Sequence, residues 1–128
     1  MTGLTEKLAD FIDSHELYAK TYLDQFPAKP TEALMLRLDP STAKNTAYFD
    51  GSSEGVGNYT LFARSKSSET AQGELEKIFP ALDFPYLELD EGLFISAEPV
   101  THPAFVQKAE SGEWYYSFTV RIKYTWSK

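Results

Sequence analysis

Residues Tyr115 to Trp126, YYSFTVRIKYTW, alternate in polarity over their whole length. Tyr116, Phe118, Val120, Ile122, Tyr124 and Trp126 fall on one face. Tyr115, Ser117, Thr119, Arg121, Lys123 and Thr125 fall on the other. Successive side chains of a strand point to opposite sides, so this is a long strand with one apolar face and one mixed polar face.

The rest of the chain supplies what could cover that apolar face. Leu4, Leu8, Phe11, Ile12, His15, Ala19, Tyr22, Leu23 and Phe26 recur at helical spacing. They predict a first helix capped by Thr2 and stopped by Pro27 and Pro30. Ala33 to Asp39 and Thr46 to Asp50 read as strands around the turn PSTAKN. GSSEGVGN (Gly51 to Asn58) reads as a mobile loop, and Tyr59 to Ser65 as the next strand. Ser67 or Ser68 caps a second helix whose stripe is Ala71, Leu75, Ile78, Phe79 and Leu82. Gly73 inside it costs about 1 kcal/mol against alanine, which implies close packing there. Gly92 to Val100 is a strand, Thr101 to Trp114 a long connector, and the opening segment the final strand.

No repeat, linker or low-complexity tract divides residues 1–128, so they form a single domain. The order of elements predicts an α+β fold, with two helices packed on one face of a mostly antiparallel sheet of four to five strands. Lys and Arg number 12 against 19 Asp and Glu, a net charge of −7, which argues against a uniform grip on nucleic acid. The chain has no cysteine, so a disulfide framework and thiolate zinc sites are excluded. It shows no membrane-length apolar run and no signal-peptide pattern, and a soluble, cytosolic product is expected.

The residues offer little for catalysis. His15 and His102 are far apart and outside any metal-ligand spacing. GSSEGVG lacks the lysine and following helix of a phosphate loop. ELDEG (Glu88 to Gly92) lacks the alternating ligands of a calcium loop and reads as an acidic turn. No metal or cofactor is expected. Two alternatives remain: a small-ligand domain whose aromatics line a cavity, or an enzyme using carboxylates such as Asp39, Asp50 and Glu88.

The stretches NYTLFARSKSSETAQGELEKIFPAL and GLFISAEPVTHPAFVQKAESGEWYYSFTVRIKY, in the order helix, strands, helix, two strands, resemble the tail-terminator proteins of long-tailed bacteriophages. Small head–tail-joining "minor capsid" proteins resemble the same group. In that family a strand ending in a basic residue, as in Phe62-Ala63-Arg64, leads into a helix like Ala71-x-x-x-Leu75-x-x-Ile78-x-x-x-Leu82. Residues like Gly112 to Tyr115 then open an alternating terminal strand. The resemblance implies a structural protein of the phage neck, not an enzyme. It implies a ring, usually hexameric, that caps the tail tube, stops its polymerisation and meets the head-completion proteins. DNA would pass through the ring without specific binding, and the product would reside in the virion after assembly in the host cytoplasm. A neighbouring head–tail adaptor is the related alternative.

On that reading Tyr115, Arg121 and Lys123 face a neighbouring copy, with Glu88 or Asp90 as candidate carboxylate partners. Phe105 and Val106, beside Trp114 in an otherwise polar connector, form a candidate docking surface. The connector and GSSEGVG are expected to project as mobile loops in the free protein.

Overall fold

A computed structural model describes residues 4–39, 44–47 and 53–126. Helices α1 (Leu4–Asp13) and α2 (Ser68–Ile78) are accompanied by a turn of 3-10 helix over Phe79–Leu82. The strands are β1 (Thr21–Leu23), β2 (Ala33–Leu38), β3 (Lys44–Ala47), β4 (Ser53–Ser65), β5 (Phe84–Asp90), β6 (Leu93–Pro99), β7 (Ala104–Lys108) and β8 (Trp114–Trp126). The fold is α+β with a mostly antiparallel sheet, but the eight strands described in that one sheet exceed the four to five expected. Among the described residues only β1 and β2 pair in parallel.

β4 and β8 form the centre. They pair antiparallel along their full length, from Ser53 opposite Trp126 to Ser65 opposite Trp114. β2 and β3 share the outer side of β4, each taking one end of it. β6 and β7 share the outer side of β8 in the same way. The sheet is thus a long two-stranded ribbon, flanked on each side by a strand broken once. At the β6–β7 break the Val100 and Thr101 N–H groups both donate to the Thr119 carbonyl, and the Thr119 N–H donates to the Thr101 hydroxyl. The ladder therefore bends there without leaving those groups unpaired.

The register aligns the apolar rows. Tyr116, Phe118 and Val120 lie opposite Ala63, Leu61 and Tyr59 of β4. Leu34 and Leu36 of β2 and Ile95 and Ala97 of β6 extend the row. These residues form one buried cluster with Leu4, Leu8 and Ile12 of α1 and Ala71, Leu75 and Ile78 of α2. In α2, Ser67 is the N-cap, its hydroxyl accepting from the Thr70 N–H, and Glu69 and Lys77 complement the helix dipole.

Gly73 is exposed, and a Cβ added there meets no atom within 4 Å. The packing reason expected for it is absent. Gly73→Ala is accordingly expected to raise the stability to urea unfolding by about 1 kcal/mol, since only the backbone entropy of glycine is removed.

Four segments depart from the sequence reading. α1 ends at Asp13, well before Phe26. The Ser14 N–H still reaches Asp10, but His15 and Glu16 close back on Ile12 and Asp13 three residues earlier, and Glu16 turns to φ 53°. The Asp13 carboxylate then accepts from the Thr21 N–H, starting β1 where a helix was expected. Of GSSEGVGN, residues 53–58 are the first half of β4, while Gly51 and Ser52 lie outside the described residues, as do Thr2 and residues 48–50. A Cβ at Gly57 would sit 3.0 Å from Cδ1 of the exposed Leu38 side chain, which would have to shift to accept it. Of ELDEG, Glu88 to Asp90 are the end of β5, and the turn is confined to Glu91 and Gly92, the latter at φ 83°. The connector is not a projecting loop either. Its middle is β7, paired to β8 through a turn in which Gly112 takes φ 101°, a conformation suited to glycine.

Candidate assembly surfaces

The second face of the sheet is organised around polar and cationic side chains. Arg64, placed on β4 among apolar neighbours, is only 9% exposed. Its Nε donates to the Thr31 carbonyl (2.7 Å), and one Nη donates to those of Pro27 (2.6 Å) and Pro30 (2.9 Å). The Phe26 ring lies 4.7 Å from the guanidinium carbon and packs edge-on against Tyr115. A buried guanidinium needs several acceptors at fixed angles, and the backbone of the segment before β2 supplies them. On the same strand pair, the Tyr18 hydroxyl lies 2.8 Å from the Ala33 carbonyl and 2.6 Å from that of Arg64, close enough to donate to either.

Further along this face Thr60 lies 2.8 Å from Asp39 Oδ1 and 3.0 Å from the Thr119 hydroxyl. Arg37 stands 4.9 Å from the Phe62 ring and 4.0 Å from Asp39. Arg121 pairs with Glu98 of the adjacent β6 at 3.5 Å, within its own chain. Lys123 is exposed, and no carboxylate of the described residues stands at ion-pairing distance from it.

β7 forms a sheet edge at one end. All five of its residues are exposed. Phe105 packs edge-on against Trp114 and Tyr116, at 6.0 and 5.8 Å, yet remains 55% exposed, and Val106 46%. Lys108 lies over the Trp114 ring. An edge carrying exposed apolar side chains and unpaired backbone groups is suited to pairing with another chain. A register shift beside Val106 and the Lys108 charge limit indiscriminate pairing.

Two tyrosines are perturbed. Burial, and next the nearby Glu32 carboxylate, raise the Tyr18 pKa well above the ordinary tyrosine value, and burial raises that of Tyr59. A raised folded-state value means that the neutral phenol is favoured in the folded protein. The stability this contributes is fully present below about pH 10, the unfolded tyrosine value, and is lost as pH rises through the folded-state values. Urea midpoints are expected to fall above pH 10, and less steeply in Tyr18→Phe. At the β7–β8 turn the Ser111 hydroxyl donates to Glu113 and lowers its pKa.

The residues selected from sequence do not converge on one point. Phe105, Val106 and Trp114 meet at the β7 edge. Tyr115 lies on the second face under Phe26. Arg121 and Lys123 lie further along that face, and Glu88 and Asp90 on β5, beyond β6. Asp39 is engaged by Thr60 and is separated from Glu88 by the width of the sheet, and Asp50 lies outside the described residues. Tyr116 and Phe118 are buried in the core cluster. Arg64 and Tyr18 were missed. Arg64 was legible as a charge in an otherwise apolar strand segment, whereas Tyr18 was absorbed into the overlong helix. Among the described residues no group of three or more His, Cys, Asp or Glu could hold a metal ion, and no helix is long and apolar enough to cross a membrane.

A family model described as bacteriophage tail terminator protein matches residues 6–126. A comparison with curated proteins returns no match.

Proposed function

The chain belongs to the bacteriophage tail terminator family, and from that premise we propose that it forms a ring, hexameric by analogy with its family, on the end of the tail tube. There it stops tube polymerisation and joins the tail to the head-completion proteins. The match across residues 6–126 carries this reading. A structural tail protein of this family acts in the virion, and assembly takes place in the host cytoplasm. The negative charge of −7 suits a lumen through which DNA slides, because like charge repels the phosphates. A phage lacking this chain is expected to make tails of uncontrolled length beside unattached full heads. Tails of normal length joined to heads would overturn the reading.

The surfaces that serve assembly are the β7 edge, with Phe105 and Val106 beside Trp114 and Tyr115, and the row carrying Arg121 and Lys123, with Glu88 and Asp90 on the neighbouring edge. Phe105 has over half its surface free for a partner. Phe105→Ser is expected to cost only about 1 kcal/mol of thermal stability, the worth of an edge-on aromatic contact. It should nonetheless reduce head–tail joining, counted as joined particles by electron microscopy. Unimpaired joining would remove Phe105 from the interface.

A further inference from the structure

The two sides of the β4–β8 ribbon end differently. On the β4 side, β1 is the outermost strand at one end. Its Thr21 and Leu23 turn their backbone groups away from β2, since Lys20 and Asp24 make the bonds to Leu34 and Leu36. The Thr21 N–H is taken by the Asp13 carboxylate, and the Leu23 carbonyl by the Gln25 N–H. That edge is largely closed by its own chain. On the β8 side, β5 lies one strand beyond β6, while β7 is itself outermost. This side is therefore stepped, high beside residues 120–126 and low beside 114–117. A half-turn about an axis perpendicular to the sheet lays the high part of one copy into the low part of another. β7 of each copy then meets β5 of the other, an isologous contact made twice. β5 and β7 run in opposite directions within the chain. After the half-turn they run alike, and pair in parallel as β1 and β2 already do.

The side chains suit this contact. Phe105 packs on Trp114 and Tyr116, and Tyr116 belongs to the buried row, so Phe105 stands on the helix side of the sheet. Leu87 lies opposite Ile95 of that same row. With Lys7, Asp10, Phe11, Glu88 and Leu89 it lines a cleft of about 500 Å³ between α1 and β5. The half-turn keeps both helix sides on the same side, so the exposed Phe105 arrives at the mouth of this cleft. The charges agree as well. Residues 83–90 contain Asp83, Glu88 and Asp90 and no cation, whereas β7 carries Lys108 and no carboxylate. The cleft itself sets Lys7 against Asp10 and Glu88, and so stays net negative. Pairing β5 with β5 would set these carboxylates against each other, and pairing β7 with β7 would leave the cleft unfilled. Pro85 and the register shifts of β5 limit other pairings.

We propose that two free copies of the chain pair through these edges. β7 of each adds to β5 of the other, with Phe105 in the α1–β5 cleft and Lys108 beside Glu88. A closed pair of this kind offers no third copy a place at the same edges. It also covers the Phe105 surface assigned above to the neck, so the pair must part before that surface can serve assembly. The pairing concerns the free protein and does not depend on the ring reading.

Sedimentation of the purified chain is expected to show two-chain particles in exchange with single chains. The chain has no cysteine, which permits a direct test of the contact. Gln107 lies opposite Tyr115, and Tyr86 stacks on Phe94, so both exposed side chains are on the face away from the helices. Gln107→Cys chains and Tyr86→Cys chains are mixed and treated with a short bismaleimide. The mixture is expected to give a covalent two-chain band, and either variant alone none. A single-chain mass up to the solubility limit, a band from one variant alone, or no band from the mixture would overturn the pairing and leave the ring reading standing. A charge exchange adds a second readout. Lys108→Glu and Glu88→Lys are each expected to weaken the pair about tenfold, the scale of one lost charge-assisted contact. The two variants mixed should recover most of it. Single variants without effect, or a mixture no tighter than either, would also sink the contact.

Discussion

Phe118→Ala is expected to lower the free energy of unfolding in urea by about 3–5 kcal/mol. Phe118 is 1% exposed, lies opposite Leu61 on β4, and meets the Phe79 ring edge-on at 5.2 Å. Truncation removes a large apolar surface and leaves a cavity between the sheet and the end of α2. The surroundings close such a cavity only in part, because β4 and β8 hold each other in register along thirteen residues apiece. For a domain whose whole stability is of order 5–15 kcal/mol, this is a large share. Lys123→Ala on the other face of the same strand should stay within about 0.5 kcal/mol. The pair also tests the register, since a slip by one residue would exchange the two faces and reverse the order of the effects.

Arg64→Ala is expected to cost about 2–4 kcal/mol, counting roughly 1 kcal/mol for each of the three carbonyls deprived of a donor and somewhat less for the Phe26 ring. The guanidinium fastens residues 26–31 to the end of β4, so the loss should appear locally first. Hydrogen exchange in β1 and in the segment before β2 should speed up while the β4–β8 ribbon stays protected. Arg64→Lys should recover little, because an ammonium has no planar fork to reach carbonyls on two sides. Full stability in Arg64→Lys would show that charge alone, and not this geometry, matters at the site.

The sequence made the core strand readable because β8 alternates without interruption and buries one complete row. α2 was equally plain, with a serine cap and a stripe at helical spacing. The misreadings share physical causes. β7 lies wholly exposed at an edge, so no alternation of burial is written into AFVQK. The first half of β4 contains Gly55 and Gly57, residues that ordinarily signal turns, yet both are paired within the ladder, opposite Tyr124 and Ile122 of β8. The helical pattern of α1 runs on through Tyr22 and Phe26 by coincidence of spacing. Those two side chains belong to a strand and to the segment gripped by Arg64. The surfaces were legible only as exposed apolar residues and cations. Which side of the sheet each occupies depends on pairings between residues that are distant in the sequence.

β8 is last in sequence order but sits in the middle of the sheet, between β4 on one side and β6 and β7 on the other. Until residues 114–126 have been synthesised, β4 and β6 have no common neighbour, and half of the apolar row has nothing beside it. The β4–β8 pairing joins segments about half a chain apart, and contacts of that separation slow folding because a large loop must close before any pairing compensates. Until β8 is made the nascent chain carries both helical segments and most of the strands without the strand that would join them, a stage open to aggregation. Cooperative folding should begin only once β8 is available, so a chain truncated before Trp114 should remain unfolded rather than form a smaller version of the domain.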